Sequence, residues 1–112
     1  TGTPLPKDNA FDGEDVSQAW FGQPIKRTKP LFWEYGRNNV SFKYPHGQDR
    51  SPNLAIRDGK WKLLLQADGT GAELSDLAAA PNETTDLAAV NPAELKRLRE
   101  SVLQWRRALP HL

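Results

Sequence analysis

Four side chains between residues 35 and 46 have types suited to holding a sugar or an anionic group. A guanidinium binds a sulfate or a carboxylate through two parallel hydrogen bonds, and an imidazole exchanges a proton near neutral pH. An aromatic ring adds a broad contact surface with a polar tip. We therefore expect a substrate-binding site in this segment, and the alternative is a surface loop without a ligand. The candidate residues are Tyr35, Arg37, Lys43 and His46.

A second group of cations lies in the stretch NLAIRDGKWKLLL, residues 53–65. Arg57, Lys60 and Lys62 fall on one side of a predicted hairpin, where they could hold an anion such as sulfate or phosphate. The alternative is a solvated sheet face whose charges are neutralised by Glu73 or Asp76 from the next strand. The sequence leaves both interpretations open.

Composition restricts the chemistry further. The 112 residues include no cysteine, which excludes disulfides, thiolate metal sites and cysteine nucleophiles within this chain. The two histidines are His46 and His111, the second in the tail, and no metal motif such as HExxH occurs. With 15 basic and 14 acidic side chains the net charge is +1, which argues against a nucleic-acid-binding protein. No apolar run approaches the roughly 18 residues of a membrane span.

The stretch from residue 53 to residue 65 predicts a β-hairpin. Asp58 and Gly59 form a two-residue turn signal between two runs rich in β-forming residues. The predicted cross-strand pairs are Arg57 with Lys60, Ile56 with Trp61, and Leu54 with Leu63. Alternation then predicts one apolar face with Leu54, Ile56, Trp61, Leu63 and Leu65.

The C-terminal part of the chain predicts an amphipathic helix. Asn91 is a suitable N-cap, Pro92 fits the first helical position, and Glu94 can complete a capping box. Pro110 should end the helix. One apolar stripe, which we expect to pack on the hairpin, is formed by Leu95, Leu98, Val102, Trp105 and Leu109.

These elements predict an α+β domain, a small three- to four-stranded antiparallel sheet with the C-terminal amphipathic helix packed on one face. LFWEY at residues 31–35 and AELSDL at residues 72–77 supply the further strands. Residues 1–30 are predicted to be a lead-in and linker, with a possible short helix at 16–21, and residues 31–112 to be the domain. The chain contains no methionine, so we expect it to be a piece of a longer protein.

In their order and spacing, LFWEY, AIRDGKWKLLL and ELSDLAAAPNETTDLAAVNP, followed by an amphipathic helix, resemble the C-terminal part of type I sulfatases. The most similar group is the N-acetylgalactosamine-6-sulfatases and arylsulfatase-like enzymes. LPKDNAFDGEDVSQAWFGQ is similar to the segment by which that family leaves its catalytic domain. The resemblance runs from about Leu5 to Trp105, and it implies a small antiparallel sheet with a helix across it, docked beside the catalytic domain.

The resemblance also implies where the chemistry lies. In this family a formylglycine, made from the Cys or Ser of a Cys/Ser-x-Pro-x-Arg motif, is the catalytic residue, and Ca²⁺ is held in the N-terminal domain. This chain has no such motif, so we expect no catalytic residue, metal ligand or cofactor within it. Ca²⁺ and formylglycine are expected in the catalytic domain, and that domain of the same polypeptide is the expected partner. Sulfated carbohydrate is a further expected partner, nucleic acid and membrane are not, and family members are commonly exported to the periplasm or beyond.

The resemblance therefore predicts a sulfuric ester hydrolase acting on sulfated sugars or aryl sulfates. In it, this chain supports the catalytic domain, and the loop at residues 36–50, with Arg37 and His46, borders the substrate pocket. The alternative is a free-standing module that binds an anionic glycan without catalysis, through the basic hairpin face and the aromatic loop.

Overall fold

The computed structural model describes residues 12–35 and 51–110. The predicted α+β class is confirmed, because these residues contain a four-stranded antiparallel sheet and a long C-terminal helix. Within these ranges, no helix is long and apolar enough to cross a membrane. The elements are α1 (Ser17–Trp20), β1 (Leu31–Glu34), β2 (Leu54–Asp58), β3 (Trp61–Leu65), β4 (Glu73–Asp76) and α2 (Pro92–Ala108).

The sheet is a meander in the order β1-β2-β3-β4, and each strand is antiparallel to its neighbour. Successive side chains point to opposite faces of a strand, so the alternation predicted from the sequence sorts the residues between two faces. We call the face that meets α2 the inner face and the opposite one the outer face. The inner face carries the fully buried core residues Leu54, Ile56, Leu63, Leu65 and Leu74.

The predicted register of the hairpin is wrong by two residues. Asp58 pairs with Trp61, so the two-residue loop consists of Gly59 and Lys60. A type I′ turn at Asp58 and Gly59 requires positive φ at both residues, whereas a type II′ turn requires it at the first central residue alone. Gly59 has φ of 58°. Asp58 does not have positive φ, because Glu83 is the one described non-glycine residue that does. The angles therefore fit a type II′ turn with Gly59 as its first central residue. Because the pairing moves by an even number of residues, the predicted faces are unchanged.

Helix α2 lies across the inner face, where it contacts β1, β2 and β3. Leu98 and Val102 of the predicted stripe are fully buried. The rings of Trp105 and Phe32 are stacked, with centroids 5.0 Å apart and an angle of 9° between their planes. The helix ends as expected before a proline, since Leu109 takes an extended conformation with ψ of 144°.

The start of α2 is positioned differently from the prediction. Asn91 is the N-cap and Pro92 the first helical residue, but the Asn91 side chain makes no capping hydrogen bond. Glu94 does not complete a capping box, because the Asn91 N–H donates to Leu87 O at 3.0 Å. The Glu94 carboxylate instead accepts a hydrogen bond from Arg97 at 2.9 Å. Arg97 also donates to Asp58 at 2.6 Å. This arginine therefore ties the first turns of the helix to the end of β2.

Candidate functional site

The predicted substrate-binding residues are only partly within the described ranges. Arg37, Lys43 and His46 lie outside them, so a shared site for these residues stays a prediction. Tyr35 follows β1 and is exposed. Its backbone N–H donates to Asn53 O at 2.8 Å, and Asn53 Nδ2 donates to Tyr35 O at 3.2 Å. These two bonds hold together the two ends of the connection between β1 and β2.

The three hairpin cations do not form one anion site. Lys60 donates to Asp76 at 2.6 Å, as the alternative interpretation predicted. Lys62 donates to both carboxylate oxygens of Glu83 at 2.8 and 2.7 Å, a partner beyond the Glu73 and Asp76 that the alternative interpretation names. Two of the three positive charges are therefore neutralised within the chain.

Asp76 is the most strongly held carboxylate of this region. Its Oδ2 accepts from Lys60, and its Oδ1 accepts from the backbone N–H groups of Ala78 and Ala79 at 3.0 and 3.2 Å. These hydrogen bonds, led by that from Lys60, lower the pKa of Asp76 below its usual value. Asp76 is nearly buried, and its bond to Lys60 anchors the hairpin loop to the end of β4.

The third hairpin cation, Arg57, remains available to bind an anion. It is exposed on the outer face between Leu31 of β1 and Lys62 of β3. Its guanidinium makes no hydrogen bond or ion pair with any residue in the two described ranges. The segment before β1 lies beside it and forms a cavity of about 410 Å³, which we call the linker hollow. The hollow is lined by Ile25, Lys26, Arg27, Lys29, Leu31, Arg57 and Gly59.

The sequence interpretation missed this arrangement, because it assigned QPIKRTKP at residues 23–30 to a linker without a binding role. The one available signal was the density of cations, with Lys26, Arg27 and Lys29 within four residues. Neither periodicity nor a turn signal connects that segment to Arg57, which follows it by about thirty residues. The contact is visible only in the three-dimensional arrangement.

A carboxylate from the lead-in fixes the linker segment. Glu14 Oε1 accepts from the backbone N–H groups of Thr28 and Lys29 at 2.7 and 2.8 Å and from the Thr28 hydroxyl. Arg27 lies 3.3 Å from the other oxygen. The hydrogen bonds from Thr28, its hydroxyl first, hold the pKa of Glu14 below its usual value. Glu14 itself is not among the described residues that line the hollow, so of the cations there it pairs only with Arg27.

The outer face has a second, mainly apolar depression, which we call the outer hollow. It has a volume of about 300 Å³, and the Trp33 side chain beside it is 48% exposed. No described element covers this face, since α2 contacts the sheet from the opposite side. The outer hollow is lined by Trp33, Ala55, Arg57, Lys62, Leu64, Leu77 and Glu83.

No protein-family model matches the chain, and no curated protein matches it either. In residues 12–35 and 51–110 no group of three or more histidine, cysteine or acidic side chains is placed to hold a metal ion.

Proposed function

We propose that this chain is the non-catalytic C-terminal domain of a sulfuric ester hydrolase and that it supports the catalytic domain of the same polypeptide. The observation that carries the proposal is a row of apolar side chains on the outer face of the sheet, Trp33, Ala55 and Leu64, that no described element covers. The fold also has the form that the resemblance implies, a small antiparallel sheet with one helix across it.

The outer face departs from what a solvated sheet face requires. An antiparallel sheet with one face in water carries polar side chains there. Here Trp33, Ala55 and Leu64 form a row across three strands, and Leu77 lines the same depression. Contiguous apolar surface of this kind is characteristic of an interaction site. We assign its partner as the catalytic domain, with apolar side chains against Trp33 and Leu64.

The lead-in gives the proposed interface a second part. Trp20 and Phe21, at the end of α1, are both largely exposed. In the resemblance, this segment is where the chain leaves the catalytic domain. These two exposed aromatic residues support the same partner. Burying them against the catalytic domain would stabilise the interface in proportion to the apolar area removed from water.

The first test is to read the coding sequence upstream of residue 1 for a Cys/Ser-x-Pro-x-Arg motif. The second is a binding measurement between this chain and the separately expressed upstream domain. Trp33→Asp and Leu64→Asp should each weaken the interaction at least tenfold, by placing a charge in an apolar contact. Val90→Asp is the matched control, because Val90 is an exposed apolar residue outside the outer hollow. Equal binding by all three variants would refute the docking role of the outer face.

On this proposal the substrate is a sulfated sugar or an aryl sulfate, the formylglycine and Ca²⁺ belong to the catalytic domain, and the protein is exported. The loop at residues 36–50 borders the pocket. In the full-length protein, His46→Ala and Arg37→Ala should then lower kcat/KM for a sulfate ester, whereas Lys96→Ala, on the exposed surface of α2, should not. Unchanged kcat/KM in both loop variants would remove the loop from the pocket.

A second candidate function is a free-standing module that binds an anionic glycan. The exposed cations Lys26 and Arg57 favour it, because neither has a partner in the described parts of the chain. Salt-dependent retention of the isolated chain on heparin, well beyond that expected for a net charge of +1, would support the module. Elution at low salt together with binding to the upstream domain would support the first candidate.

A further inference from the structure

We propose that the linker hollow is a binding site for a sulfate or phosphate monoester. The site shares Lys26 and Arg57 with the glycan-binding candidate, but the inference follows from the charges and shape of the hollow and requires neither candidate function. It places the anion between the linker segment and the hairpin, away from the predicted loop residues.

The charges in the hollow are unbalanced. Among the described residues, four cations line it and no carboxylate does: Lys26, Arg27, Lys29 and Arg57. Of these, Lys29 donates to Gly13 O at 3.4 Å. Arg27 is paired with Glu14 beyond the lining, but Lys26 and Arg57 have no hydrogen bond or ion pair in residues 12–35 and 51–110. Positive charges brought together in this way repel one another, and a bound anion would relieve that repulsion.

Other cations of the domain, unlike Lys26 and Arg57, have carboxylate partners. Each of four further lysine or arginine side chains has a carboxylate within 3 Å, so the fold ordinarily provides a partner where it places a positive charge near the sheet. The four pairs are Lys60 with Asp76, Lys62 with Glu83, Arg97 with Asp58, and Arg106 with Glu34. Lys26 and Arg57 have no such partner among the described residues.

The cations are held on ordered backbone. Arg57 lies on β2, which is paired on both sides with β1 and β3. Lys26 and Lys29 belong to the segment that Glu14 fastens through the amides of Thr28 and Lys29. A guanidinium on a rigid strand offers two parallel donors to a tetrahedral oxyanion, and an ammonium adds a point charge. Binding then requires little ordering of the backbone.

Two apolar residues in the lining of the hollow indicate that the ligand is an ester and not a free ion. Ile25 and Leu31 line it together with the cations. These apolar side chains would contact the carbon skeleton that carries the anionic group. A volume of about 410 Å³ lies in the range of pockets for small molecules and accommodates a ligand the size of a monosaccharide.

The test is an NMR titration of the ¹⁵N-labelled chain at constant ionic strength. The probes are glucose 6-sulfate, glucose 6-phosphate, inorganic sulfate and glucose. Both esters should give saturable shifts confined to residues 25–31 and 57–60, with tighter binding than inorganic sulfate, and glucose should give none. The two esters distinguish a sulfated from a phosphorylated source, since the tighter one identifies it.

Lys26→Gln and Arg57→Gln should each weaken ester binding about tenfold, because each removes a charge-assisted hydrogen bond. The matched controls are Lys96→Gln and Arg107→Gln, which remove the same charges from α2 and should leave the affinity unchanged. Dispersed spectra of all four variants establish that they are folded.

Three results would overturn the proposal. The first is a set of non-saturating shifts spread over all cationic residues, which indicates general screening. The second is an equal loss of affinity in the site variants and the controls. The third is equal affinity for the esters and inorganic sulfate, which removes the role of Ile25 and Leu31.

Discussion

The two faces of one sheet differ in what covers them. On the inner face, Ile56 and Leu63 are fully buried beneath α2. On the outer face, Leu64 immediately follows Leu63 in the same strand but is only partly buried, and Trp33 is 48% exposed. The comparison teaches that apolar alternation locates the core only where the chain also provides a partner element. Where it provides none, apolar residues on a strand stay partly exposed.

The charges at the borders of the two faces follow the same division. At the inner face, Glu34 pairs with Arg106 at 2.9 Å and Asp58 with Arg97 at 2.6 Å, so both ends of α2 are tied to the sheet. At the outer face, Arg57 has no such partner in the described residues. The outer face also has a paired cation, since Lys62 lies 2.7 Å from Glu83, and Arg57 beside it is the cation left exposed to solvent.

The largest effect that tests this comparison comes from adjacent leucines. Leu63→Ala should lower the free energy of unfolding by about 2–5 kcal/mol, because it leaves a cavity in the core. Leu64→Ala removes the same atoms from the outer face and should cost less than about 1.5 kcal/mol in the isolated chain. Urea denaturation followed by circular dichroism measures both. Similar losses in the two variants would mean that the outer face is as well packed as the inner one.

Trp105→Ala is expected to have the next largest effect, about 2–4 kcal/mol, since it removes the ring stacked on Phe32. Trp33→Ala is the matched change on the outer face and should cost less than about 1 kcal/mol. A thermal melt followed by circular dichroism compares them. A melting temperature unchanged by Trp105→Ala would contradict the packing of α2 on the inner face.

A smaller effect tests the turn that sets the register of the faces. Gly59→Ala should cost about 1 kcal/mol, because alanine is strained at φ of 58° although no atom lies within 4 Å of the added methyl group. Gly13→Ala adds a methyl group to equally open space at a glycine without positive φ, and should be nearly neutral. Chemical denaturation of both variants measures the difference, and an equally neutral Gly59→Ala would argue against the type II′ turn.

The smallest predicted effect concerns acid. The folded-state pKa of Asp76 is lowered chiefly by Lys60, so the stabilisation is present above the unfolded-state pKa and is lost as pH falls through the folded-state value. Asp76→Asn should therefore be less stable at pH 7 and lose less stability below about pH 4. Denaturation midpoints at several pH values test this, with Glu100→Gln on α2 as the control. An acid dependence identical in Asp76→Asn and the unaltered chain would show that the carboxylate is not held in this way.

Much of the fold follows from local patterns in the sequence. Period-two alternation assigned Leu54, Ile56 and Leu63 to one face, and the spacing of Leu98 and Val102 identified the buried side of the helix. The pairing register was not predicted correctly, because Asp-Gly is compatible with loops at two positions and the choice depends on backbone angles. Similarly, Glu94 bonds to Arg97, whose other partner is Asp58, about forty residues earlier in the chain.

The sites were harder to predict than the fold. Residue types alone directed attention to the segment from Tyr35 to His46, most of which lies outside the described residues. The pairing of Lys62 with Glu83 and the placement of Lys26 near Arg57 both depend on how distant segments meet. A cation is neutralised only when a distant segment brings a carboxylate to it. The sequence therefore shows which residues are cations, but not which of them have a carboxylate partner in the folded chain.

The meander order of the sheet has a consequence for how the molecule assembles. The turn between β2 and β3 is short, and a hairpin of this kind forms in about 1–10 μs. The connection from Glu34 to Leu54 is the longest between neighbouring strands, and closing a longer loop costs more conformational entropy. We expect β1 to join last, and pulse-labelling hydrogen exchange should show the amide of Leu63 protected before that of Trp33, which faces Ala55 in a hydrogen-bonded pair. The residues that line the linker hollow come from segments before and after that connection. A chain that has already buried its core would therefore be unable to bind an anion there until β1 has joined the sheet.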